Sequence, residues 1–191
     1  MEHQSVTIDT CVWNKYIDNR TEKSEIQALL NACKDQGIKI YASSRVFSFD
    51  TTTQNPEQTQ QIKELMQSIG AQVTPAPFIL GDVDDPKNTG SSFGGTDFLA
   101  DFHSGKRERA FIAEVGCHPT KNHPSQLGKK ASNHIGDYDA LLQHYMNNFD
   151  VFVTYDTHLY LAPAKRANYK KNLGLSVMNP AEFLSSLGAG I

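Results

Sequence analysis

Two runs decide how this chain is read: Ser5-Val6-Thr7-Ile8-Asp9 near the start and Val151-Phe152-Val153-Thr154-Tyr155-Asp156 far downstream. Each is a short β-branched and aromatic stretch, the composition of a buried strand, and each closes on an aspartate. Open parallel sheets gather their chemistry at the carboxyl ends of the strands. Two carboxylates brought into one such crevice resist being charged together unless a cation joins them. Asp137 opens a helix-like stretch that feeds the second run and adds a third acid. The pattern points to a divalent metal.

Outward from the first run, residues 5–9 read as a strand, with Thr10 placed to start a turn or cap a helix. Val12, Trp13, Tyr16 and Ile17 then keep helical spacing, and Ile26, Leu29, Leu30 and Cys33 do so again before Gly37 stops the helix. Ile38 to Ala42 is a second strand, and Ser43 or Ser44 caps a short helix carrying Val46, Phe47 and Phe49. Pro56 suits the first turn of a helix with Ile62, Leu65, Met66 and Ile69, and Ala71 to Thr74 is a third strand after Gly70. Strand and helix in strict alternation argue for a parallel α/β sheet.

From Pro75 to about Asn133 that rhythm breaks into Gly- and Pro-marked loops, with one helix between Thr96 and Val115. So long an irregular stretch is read as an insertion, at about 76–133, over the sheet's active edge. Regularity returns at Asp137, whose helix carries Leu141, Leu142, Tyr145 and Met146. The strand 151–155 follows, then a helix from Pro163 to Lys171 stopped by Gly174, and a last strand Leu175 to Met178. Asn179 caps a final helix with Pro180 at its first position.

The bulk properties narrow the classes. A chain of 191 residues, 39% hydrophobic and 20% charged, is expected to fold as one globular domain, 1–191. Its apolar runs are too short to span a membrane and no leader pattern opens it, so a cytoplasmic protein with no membrane association is expected. Cys11, Cys33 and Cys117 are odd in number and lack CxxC spacing, which fits a reducing compartment. A net charge of -3 excludes a broadly basic nucleic-acid coat but leaves room for an acidic catalytic centre with local basic patches. Lys106-Arg107-Glu108-Arg109 and the set Lys165, Arg166, Lys170 and Lys171 are such patches, and each alone reads as a solvated helix face.

Several chemistries fall away. Gly90-Ser91-Ser92-Phe93-Gly94-Gly95 lacks the lysine of a phosphate loop. Cys11 stands where an Asp-x-Asp phosphotransferase needs its second acid. His103, Cys117, His118, His123 and His134 lack the paired spacing of a zinc site and read as surface or substrate-contacting residues.

Four landmarks in shared order resemble the PIN-domain nucleases. They are Ile8-Asp9-Thr10, then Ile40-Tyr41-Ala42-Ser43-Ser44 with Asp50, then Asp137 with the run Asp150 to Asp156, then Leu175 to Met178 with Asn179-Pro180-Ala181-Glu182-Phe183-Leu184. The resemblance covers about residues 5–75 and 134–187. It implies a three-layer α/β/α PIN-like domain with a central parallel sheet and a long insertion before the fourth strand. It also implies a metal-dependent ribonuclease, an endoribonuclease acting on RNA, with Mg²⁺ or Mn²⁺ held by Asp9, Asp50, Asp137 and Asp156. Asp139 competes with Asp137, which has the better interval to Asp150 and Asp156 and the expected helix N-terminus. Thr10 and Thr154 would orient carboxylates, and Lys165, Arg166 and Lys170 would guide the phosphate backbone.

Taken singly, Asp9, Asp137 and Asp156 also read as helix caps and Asp50 as a turn residue; their common placement near strand ends favours the metal. The chain departs from the family at Asp50, where a glutamate is usual, at Cys11, where a small polar residue is usual, and at the bulky Tyr155. These departures motivate an alternative, a catalytically weak or inactive PIN-like module that binds RNA or protein. A further alternative is the toxin nuclease of a toxin–antitoxin pair, with an antitoxin's basic residue filling the cleft. The family often forms dimers, which makes a homodimer a further expectation.

Overall fold

The structure is a computed structural model that describes residues 3–47, 56–74, 102–115, 129–157 and 160–188. Strand β1 (Ser5–Ile8) lies at the centre of a parallel sheet, between β2 (Lys39–Ser43) and β4 (Val151–Val153). β3 (Gln72–Thr74) extends the sheet beyond β2, and β5 (Ser176–Met178) extends it beyond β4. The spatial order is therefore β3-β2-β1-β4-β5. The chain winds outward from β1 to β3, then crosses to the other flank of β1 for β4. A reversal of this kind opens a crevice between the carboxyl ends of the two strands on either side of it, here β1 and β4.

Helices α1 (Thr10–Ile17) and α2 (Lys23–Asp35) connect β1 to β2. A short 3-10 turn, Ser44–Phe47, and α3 (Pro56–Ser68) come before β3. α4 (Phe102–Val115) and α5 (Lys129–Met146) precede β4, and α6 (Pro163–Asn168) runs into a π turn, Tyr169–Leu173, ahead of β5. α7 (Pro180–Ser186) follows β5.

Strand alternation sorts the side chains into two cores. Val6, Ile8, Ile40, Ala42, Val151 and Val153 pack with Val12 and Trp13 of α1, Ile26 and Leu29 of α2, Ile62 of α3 and Phe183 of α7. On the other side Phe152 and Val177 pack with Phe111 of α4, Tyr138 and Leu141 of α5, and Tyr160 and Tyr169. The expected α/β sheet, parallel throughout with helices over both faces, is what the described residues form. Among them no helix is long and apolar enough to cross a membrane.

Polar groups fix the register. Asp150 accepts from the backbone N–H groups of Gln4 at 2.9 Å and Ser5 at 2.8 Å and from Ser5 Oγ at 2.8 Å, tying the start of β1 to that of β4. Burial raises the Asp150 carboxyl, but these donors outweigh it and the net shift is downward. Asn179 and Glu182 form a reciprocal capping box at the start of α7, as the Asn179-Pro180 pattern predicts. Gly37 and Gly174, at φ 70° and 71°, take the left-handed backbone that ends a helix.

Three local readings need correction. Asp9 itself is the N-cap of α1, and Thr10 is the helix's first residue, not its cap. α5 begins at Lys129, so Asp137 lies well inside a helix and the backbone donors of a helix N-terminus do not serve it. The polar run Lys129-Lys130-Ala131-Ser132-Asn133-His134 and the interior Gly136 carry no apolar stripe, which hid this start. Finally, the Pro163 helix is α-helical only to Asn168 and continues as the π turn.

Candidate functional site

The crevice at the reversal is built from the ends of β1 and β4. Asp9 N donates to Val153 O at 3.0 Å, and Thr154 N donates to Met178 O at 3.0 Å, so the ladder runs one residue past each strand. Trp13 Nε1 donates to Ile8 O at 3.0 Å and pins α1 against the end of β1. These bonds fix the backbone under the acidic side chains.

Asp9 is buried and fully engaged. Its Oδ1 accepts from Thr10 N at 2.7 Å. Its Oδ2 accepts from Thr154 Oγ1 at 2.6 Å and from the Cys11 thiol at 3.1 Å. Thr154 Oγ1 in turn accepts from Asp156 N at 3.0 Å, and Cys11 Sγ accepts from Tyr155 N at 3.4 Å. Burial pushes the Asp9 carboxyl above its ordinary value; the bonds from Thr154, Cys11 and Thr10 oppose that, and the charge of Asp156 adds to it. Burial and the neighbouring Asp9 keep Cys11 a thiol, so it acts here as a donor.

After β4, Leu161 N donates to Asp156 O at 2.9 Å. The Tyr160 ring packs edge-on to Phe152 with centroids 5.5 Å apart. Tyr160 is wholly buried, and among the described residues its hydroxyl has no hydrogen-bond partner. Such an unpaired hydroxyl costs on the order of 1–3 kcal/mol. Burial raises its phenol well above the ordinary value, and the charges of Asp137, Asp9 and Asp156 all raise it further. Three acids from three separate stretches of chain thus act on one neutral hydroxyl. Asp137 is half-buried and belongs to this set, whereas Asp139, two residues along the same helix, is completely buried.

Tyr155 does not intrude on the set. Its side chain turns to the α1–α2 layer, where its hydroxyl donates to Glu25 Oε2 at 2.6 Å and Lys15 Nζ stands 4.4 Å from its ring centre. Burial, and then the bond to Glu25, raise this phenol too.

The remaining expected residues are dispersed or undescribed. Thr10 contributes its backbone N–H to Asp9, and Thr154 its hydroxyl. Arg166 Nη1 is committed to Glu182 Oε1 at 3.0 Å, while Lys165 and Lys170 are exposed. Arg166 and Lys170 border a hollow of about 210 Å³ beside the edge strand β5. Arg107 donates to the carbonyls of Tyr145 and Met146, so it is a structural cation. Asp50, Cys117, His118 and His123 lie outside the described residues, as do the side chains of His103 and His134.

Whether the acids suit a metal can be judged on chemistry and on spacing. In chemistry, hard carboxylate oxygens are the ligand type that Mg²⁺ and Mn²⁺ prefer. In spacing, no group of three His, Cys, Asp or Glu among the described residues is arranged to hold a metal ion. Nothing in the sequence marks Tyr160, since an aromatic four residues past a strand-end acid is ordinary core composition. Cys11 is marked only by sitting two residues after Asp9. Comparison with family models, with curated proteins and with solved structures finds no significant match to this chain.

Proposed function

We propose that this chain is a metal-dependent ribonuclease with a PIN-like fold, cutting RNA phosphodiester bonds at the crevice between β1 and β4. The observation that supports the reading is the buried Asp9 at the end of β1, with Asp156 just past the end of the neighbouring strand β4, at the sheet's reversal point. Asp9, Asp137 and Asp156 would hold the cation, with Asp50 as the fourth acid. A divalent cation bound there would supply charge neutralisation of a phosphate oxygen and activation of water. The chain's own part is positional. Thr154 and Cys11 fix the plane of the Asp9 carboxylate, and its burial, together with Asp156, makes the ionised form costly until positive charge arrives. Lys165 and Lys170, both exposed, would help attract the RNA backbone.

A structured RNA incubated with the pure protein and Mn²⁺ tests this reading. Cleavage is expected with the wild type and is expected to vanish in the Asp9→Asn plus Asp156→Asn double variant. Cleavage that survives both substitutions overturns the assignment.

A second reading is favoured by the full engagement of Asp9, whose two oxygens already serve Thr10, Thr154 and Cys11. It makes the chain a PIN-like module that binds RNA or protein without cutting. Retention of RNA with no cleavage at millimolar Mn²⁺ distinguishes it.

A further inference from the structure

We propose that the outer edge of β5 docks an extended acidic segment of a partner protein, which adds to the five-stranded sheet as a further strand.

The register leaves one residue of that edge unserved. Neighbouring residues of a parallel strand turn their backbone groups to opposite sides. Thr154 N donates to Met178 O, so Ser176 and Met178 face β4, and the N–H and C=O of Val177 point away from it. Among the described residues neither group of Val177 has a hydrogen-bond partner. Val177 is only 5% exposed, so water reaches these groups poorly, and buried backbone groups are almost always paired. Together with Arg166, Ala167 and Lys170, Val177 lines the hollow of about 210 Å³ beside β5. That volume is below the roughly 300–1,000 Å³ of a small-molecule cleft and suits a chain laid along the edge.

Two features select the occupant. A donor and an acceptor side by side match a peptide backbone, whereas phosphate oxygens only accept and leave the Val177 C=O unpaired. Charge is the second feature. From Pro163 to Ala181 the chain carries Lys165, Arg166, Lys170 and Lys171 and no acid, against a net charge of -3 for the whole. Glu182 and Glu114, which approach this stretch, are held by Arg166 and Asn172. Lys165, Lys170 and Lys171 are exposed and, among the described residues, in no ion pair. A second copy of this chain would bring the same lysines against them, and like charges disfavour that pairing. Acidic side chains on an added strand complement them.

Fluorescence anisotropy of a labelled peptide of alternating valine and glutamate tests this, alongside amide hydrogen exchange of the protein followed by NMR. The wild type is expected to bind the peptide, and saturation is expected to slow exchange of the Val177 N–H. The same peptide N-methylated along its backbone is expected to bind about fivefold more weakly or worse, the size of one lost hydrogen bond. The triple variant Lys165→Glu, Lys170→Glu, Lys171→Glu, its folding checked by melting temperature, is expected to bind about tenfold more weakly. No binding at millimolar peptide, binding indifferent to N-methylation, or a Val177 N–H that stays unprotected overturns the proposal. Protection of that N–H by a uridine oligonucleotide but not by the peptide assigns the edge to RNA. Protection that grows with protein concentration alone assigns it to a second copy, and either result overturns the acidic partner.

Discussion

Asp9 serves two purposes with one carboxylate. It caps α1, and it supplies the most desolvated charge in the crevice, with Thr154 and Cys11 donating to the same oxygen. Both purposes are visible in the residue type, because a strand-end aspartate is a good cap and a good metal ligand alike. What the sequence does not carry is the partnership with Thr154, which is 145 residues away and arrives only through strand pairing. Tyr160 and His144 escaped the sequence reading for a related reason, since burial is a property of the fold. His144 lies fully buried against Phe152, with its Nδ1 2.9 Å from Thr7 Oγ1. Burial lowers its pKa from 6.5 to about 3, with Asp150 opposing the shift. Between those values the unfolded chain takes up a proton that the folded one refuses, so the stabilising contribution is whole above pH 6.5 and drains away as pH falls toward 3. Urea unfolding at pH 7 and pH 5 is expected to show wild type losing more stability than His144→Gln, at up to about 1.4 kcal/mol per pH unit. Equal losses would contradict a buried neutral imidazole.

Among the elements, α7 shows best how local sequence can announce a helix start. Asn179, Pro180 and Glu182 spell out the start of α7, and the structure adds Arg166, which reaches Glu182 from α6. Burial raises the Glu182 carboxyl, but Arg166 and the Asn179 N–H outweigh it and the net shift is downward. Asn179→Ala is expected to cost about 1 kcal/mol of stability by chemical denaturation. A change within error would show that Arg166 and the packing of Phe183 suffice to fix α7. α5 is the counterexample. Its first two turns carry no apolar stripe in the sequence, whereas Tyr138, Leu141 and Leu142 form one and lie in the core. The helix is therefore legible in the sequence only over its later turns. The misplaced start bears on the proposed site, because it takes Asp137 away from a helix N-terminus.

For the whole molecule, the strand order does what no single motif can. Alternation of strands and helices predicted a parallel sheet, and the winding direction changes across the stretch read as an insertion. The order itself, with β4 returning beside β1, is not encoded in any local stretch, yet it alone makes neighbours of Asp9 and Asp156. The two cores then lock the arrangement from both faces, Val153 toward α1 and Phe152 toward α5. In the proposed function, Asp9 and Asp156 at that reversal, with Asp137, would hold a divalent cation. Crystals of the protein soaked in MnCl₂ test the claim most directly through the anomalous scattering of manganese. The account predicts a peak bounded by the carboxylates of Asp9, Asp137 and Asp156. A map with no peak in that crevice, or with manganese bound only elsewhere, would contradict it.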